Sequence, residues 1–159
     1  MKTASLKEIK KELETMPPEK LLQYCLQLIK YKKENKELLS YILFDEGDEA
    51  TYVANIKNLL ADEFGMVHPT SWYFGKKTLR KIIRTTNKYI GYSSQKTTEV
   101  ELLLHICTQI NSLPLKYYSY YALDNMYNGV LKKIKKTVST LHEDEQYDYL
   151  KQIAALEIG

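Results

Sequence analysis

The stretch Val100-Glu-Leu-Leu-Leu-His-Ile-Cys-Thr-Gln-Ile110 decides the fold. At 3.6 residues per turn its apolar side chains fall on nearly every side of a helix. A helix that is apolar all round belongs in a core. Thr98-x-x-Glu101 precedes it, and this Ser/Thr-x-x-Glu spacing is that of a capping box. The segment therefore predicts a central helix, with amphipathic neighbours packed around it.

Working outward, the neighbours are legible by the same period. Ser5-x-x-Glu8 is a second capping box and opens a first short helix to about Thr15. Pro17-Pro18 ends it and starts the next, since proline is tolerated in a first turn. That helix carries Leu21, Leu22, Cys25, Leu28 and Ile29. Asn35 reads as the N-cap of a third helix, with Leu38, Leu39, Ile42 and Leu43. Gly47-Asp48 reads as a helix stop followed by an N-cap, and the fourth helix runs to about Glu63. Ser71 is expected to cap a fifth helix ending near Gly91. Pro114 is expected to open a long seventh helix reaching Val138. Thr140-x-x-Glu143 marks an eighth, whose first-turn acids suit the helix dipole. No stretch alternates with a period of two, so no sheet is expected. The fold class is all-α: seven or eight helices in a short α-solenoid or a closed bundle, forming a single domain over residues 1–159.

Composition agrees. A chain of 159 residues with 44% hydrophobic and 27% charged residues is the size and make-up of an ordinary globular domain. Met1 to Glu14 mixes lysines with glutamates and has no apolar h-region, which reads against a signal peptide. No apolar run approaches the roughly 20 residues of a membrane span. The two cysteines, Cys25 and Cys107, are far apart and sit among apolar residues, so both are expected as buried, reduced thiols. The expected location is the cytoplasm.

Lys30-Tyr31 ahead of Glu37-Leu38-Leu39 is echoed by Lys88-Tyr89 ahead of Glu101-Leu102-Leu103, at different spacing. That echo fits a degenerate helix-pair repeat of HEAT-like type. The run from Lys30 to Phe44, followed by Asp48-Glu49-Ala50-Thr51-Tyr52, resembles a group of small bacterial all-helical proteins without an assigned activity. The resemblance covers about the first two thirds of the chain and carries no site with it.

His68, His105 and His142 have no second histidine or cysteine at the i,i+3 or i,i+4 spacing of a shared helix face, so no metal site is expected. Asp45-Glu46-Gly47-Asp48-Glu49 lacks the ligand spacing of a calcium loop. There is no glycine-rich phosphate loop and no nucleophile elbow. Asp62-Glu63 and Glu143-Asp144-Glu145 read as solvated helix ends. His105 alone lies in an apolar setting, as a boundary histidine or the centre of a ligand site. No enzyme and no cofactor is expected.

One feature stands above background. Residues 64–98 carry seven Lys or Arg and no Asp or Glu. On the helix from about Lys76 to Ile90, Lys77, Arg80, Lys81, Arg84 and Lys88 fall within an arc of about 100°. Leu79, Ile82, Ile83, Thr86 and Ile90 take the opposite side. Cations at i,i+4 repel by a few tenths of a kcal/mol per pair. Three outcomes are open: acids of segments 45–49 or 143–148 neutralise the stripe internally, an acidic protein partner meets it, or nucleic-acid phosphates do. Tyr117, Tyr121, Lys132 and Lys135 on the seventh helix form a secondary candidate, aromatics beside cations being suited to base stacking or to protein interfaces. The preferred expectation is a non-enzymatic binding or scaffold protein contacting an acidic protein partner through the fifth helix. Nucleic-acid binding comes next, and a small enzyme or ligand-binding bundle around His105 third.

Overall fold

The computed structural model describes residues 2–114 and 119–157. The chain divides into two compact units, residues 1–44 and 45–159. Every regular element among the described residues is helical.

The first unit contains α1 (Leu6–Glu14), α2 (Pro18–Tyr31) and α3 (Lys33–Ser40). The Ser5–Glu8 capping box forms in both directions: the Ser5 amide donates to Glu8 Oε2 at 2.7 Å, and the Glu8 amide to Ser5 Oγ at 3.3 Å. Pro18 occupies the first turn of α2. Asn35 is not an N-cap. Helix α3 starts earlier, at Lys33, which leaves the Asn35 amide to donate to the Leu28 carbonyl at 2.8 Å and tie α3 to α2. None of the residues of these three helices is buried. A π-helical segment, Tyr41–Asp45, follows α3.

The second unit contains α4 (Glu49–Gly65), α5 (Trp72–Ile90), α6 (Lys96–Asn111), α7 (Tyr121–Val138) and α8 (Glu143–Glu157). Helix α6 packs against all four others, as its all-round apolar sequence requires. Leu102, Leu103, Ile106 and Ile110 are each under 2% exposed, together with Leu60 of α4, Leu79 and Ile82 of α5 and Ile134 of α7. Burying each such aliphatic side chain stabilises the fold by about 1.5–3 kcal/mol.

Polar ties set the register around this core. Asp48 caps α4 by accepting from the Thr51 amide at 3.2 Å. The Tyr52 hydroxyl donates to the Tyr89 carbonyl at 2.9 Å, joining α4 to α5. Thr98 is not a cap: α6 begins at Lys96, and the buried Thr98 hydroxyl donates instead to Glu49, as does that of Ser93. Tyr127 ties three helices, accepting from Asn111 and donating to the Leu156 carbonyl, each at 3.1 Å. Helix α7 starts at Tyr121 and not at Pro114, and residues 115–118 lie outside the described part of the chain. Of the cysteines, Cys107 is buried as expected, whereas Cys25 is exposed; both are free thiols.

Candidate functional site

Helix α5 runs without an acid along its length, and its buried side is Gly75, Leu79, Ile82 and Thr86. The Thr86 hydroxyl satisfies itself on the Ile82 carbonyl at 2.9 Å, so it joins the apolar face at no loss. That anchoring turns the cationic stripe outward. Lys77, Arg80, Lys81 and Arg84 are exposed, and Lys88 is half-buried, its ammonium 4.6 Å from the Tyr89 ring centroid.

The stripe is not uniform. Lys81 lies on the side toward α4 and pairs with Glu63 at 3.3 Å. Glu63 is thus one internal acid that meets the stripe. Glu63 is not a solvated helix end either: its side chain is 17% exposed, and Oε2 is buried without a hydrogen-bond partner. Lys77, Arg80 and Arg84 have no ion-pair partner within 4 Å among the described residues.

Arg80 lies on the other edge of the stripe and overhangs a groove of about 310 Å³ between α5 and α7, with α6 beneath. Its apolar lining is Ile83, Leu103, Met126 and Val130, and Gly129 opens its α7 wall. No carboxylate lines it. Lys133 stands across from Arg80, held by Glu99 at 2.9 Å and by the Asn87 side-chain oxygen at 2.6 Å. Lys132 and Lys136, farther along α7, are exposed. One turn of arithmetic places them beside Gly129, at i+3 and i+7. The groove as a whole is not legible in the sequence because its lining comes from three helices. Its one legible trace was Gly129, a glycine in the middle of an otherwise regular helical pattern.

The secondary candidate does not assemble on α7. Tyr121 is its first residue and 76% exposed. At 1.5 Å per residue it stands about 16 Å along the axis from Lys132 and farther from Lys135. Tyr117 lies outside the described residues. Tyr120, just ahead of α7, stacks on Trp72 with ring centroids 4.7 Å apart and planes 7° from parallel.

His105 lines a separate, polar cleft of about 570 Å³ between α4, α6 and α8. Lys57 and Glu101 form an ion pair at 2.8 Å on its wall, and Glu145, Asp148 and Tyr149 face it from α8. Burial, reinforced by the Lys57 charge, holds the imidazole below its ordinary pKa, so the ring is neutral at pH 7. Its Nε2 is buried with no hydrogen-bond partner. Burial and the neighbouring carboxylates push the Tyr149 phenol upward, keeping it a donor. Of this lining the sequence singled out only His105, because Lys57, Glu101 and the α8 acids meet it only through packing.

Among the described residues, no cluster of three or more His, Cys, Asp or Glu could hold a metal ion, and no helix is long and apolar enough to cross a membrane. Comparison with family models, curated proteins and solved structures finds no match for this chain.

Proposed function

We propose that this chain is a helical binding protein that contacts an acidic protein partner through the exposed face of α5. The observation that carries this reading is that Lys77, Arg80 and Arg84 are exposed and unpaired among the described residues, on a helix with no acid of its own. Mutual repulsion along such a face costs stability, and no ion pair among the described residues offsets it at these three. An external acid would relieve it. A protein surface fits better than a phosphate backbone because one of these cations, Arg80, borders a groove with an apolar lining.

The test compares the wild-type chain with Arg80→Glu/Arg84→Glu as bait for proteins of the native lysate. An acidic protein captured by the first and lost by the second is the expected result. Steeply salt-dependent retention of the wild type on a DNA column, with no such protein captured, would favour the nucleic-acid reading.

A second reading, a ligand site at His105, is favoured by the unpartnered buried Nε2 on a cleft with three carboxylates. Its ligand would be a small organic cation that also offers Nε2 a hydrogen bond. A nuclear magnetic resonance titration following His105 with small amines checks it; an unmoved ring signal at millimolar amine would remove it.

A further inference from the structure

We infer that the groove between α5 and α7 receives one α-helix of a protein partner, amphipathic, with acidic residues flanking its apolar stripe. This deepens the reading of α5 as a binding face and rests on it. Three observations converge on such an occupant.

The first is Gly129. It sits mid-way along α7, where glycine is a poor helix former compared with alanine. A Cβ built on Gly129 has no heavy atom within 4 Å. Packing within this chain therefore gives no reason for a glycine. Close approach of another backbone does, since glycine lets two helices come together without a Cβ between them.

The second is the lining. Leu103 and Val130 are 1% and 6% exposed, so the floor is fixed, while Met126 and Ile83 on the walls are half-buried. A fixed apolar floor with an adaptable methionine wall suits the apolar stripe of a helix, with anchors at i, i+3, i+4 and i+7.

The third is charge. Arg80 lines the groove on the α5 side and Lys133 on the α7 side, with Arg84, Lys132 and Lys136 exposed on the same two helices, and none of its described lining residues is a carboxylate. Lys133 is itself paired with Glu99. A helix with Glu or Asp on both flanks of its stripe would face cations on both sides. A basic helix would be repelled from both, which also sets specificity.

The experiment is a display selection of helical peptides of random sequence on the full chain, with the recovered peptides titrated against variants. Acidic amphipathic peptides should be enriched. Their affinity should fall at least about tenfold on Gly129→Leu, which fills the groove, and on Arg80→Glu, which inverts its rim. Circular dichroism checks that Gly129→Leu is folded; if it is not, Met126→Glu, which places an acid on the wall, serves in its stead. Peptides that ignore Gly129→Leu and Met126→Glu yet are lost on Arg80→Glu/Arg84→Glu would overturn the groove and leave the α5 face standing. Enrichment of basic or non-helical peptides, or of none, would overturn both. A DNA duplex that binds more tightly than any selected peptide, and is indifferent to Gly129→Leu, would also overturn both.

Discussion

Replacing Gly129 by alanine should stabilise the free protein. The residue is helical, lies well inside α7, and an added Cβ meets no atom within 4 Å. There is thus no overpacking to subtract and little apolar burial to add. What is left is the backbone: alanine restricts the unfolded chain and is the better helix former, by about 0.8–1.0 kcal/mol. At a urea m-value of about 2 kcal/mol/M, the denaturation midpoint should rise by roughly 0.4–0.5 M. The melting temperature should rise by about 2–4 °C for a chain of this size. Urea and thermal melts followed by far-ultraviolet circular dichroism, with wild type and variant at equal concentration, read both. An unchanged or lowered midpoint would refute the reasoning, because it would mean that the space over Gly129 is already occupied in the free protein. The prediction is independent of any partner, so it tests the geometry on which the groove rests before binding is measured.

Other perturbations test the rest of the structure. Ile106→Ala, at a site with 0% exposure on the helix that touches all its neighbours, should cost about 2–5 kcal/mol in a urea melt; a loss under 1 kcal/mol would mean that α6 is not the centre of the core. His105 binds its proton less tightly when folded than when unfolded, so its contribution to stability is present above about pH 6.5 and is lost as pH falls through the folded pKa. His105→Gln should flatten the pH dependence of the urea midpoint below pH 6.5, and parallel curves for the two proteins would contradict the burial of the ring. Cys25 is exposed while burial pushes the Cys107 thiol up to about 12, so a thiol reagent should label one cysteine quickly and the second only on unfolding. Two fast-reacting thiols in the folded protein, or fast labelling that survives Cys25→Ser, would be the wrong result.

Local signals were legible where short-range chemistry decides the outcome. The capping box at Ser5 and Glu8, the proline start of α2 and the Asp48 cap all depend on neighbours within three residues, and each forms as read. They failed where a polar side chain had a better long-range partner. Thr98 has the spacing of a cap, but Glu49 draws its hydroxyl into the core; Asn35 has the identity of a cap, but the Leu28 carbonyl takes its amide. The stripe on α5 was visible because five residues on one helix face need only the helical period to be aligned.

Sequence by itself determined that this chain is helical, that the segment from Val100 to Ile110 lies at the centre, and that α5 presents cations opposite its apolar side. Those are properties of one helix at a time, fixed by periodicity. Tertiary structure decided which cations are free. Lys81 is matched by Glu63, Lys133 by Glu99, and Arg80 is left over a groove whose floor belongs to α6. Pairing and exposure depend on atoms brought within a few ångströms from segments tens of residues apart, and no period in a linear sequence encodes that distance.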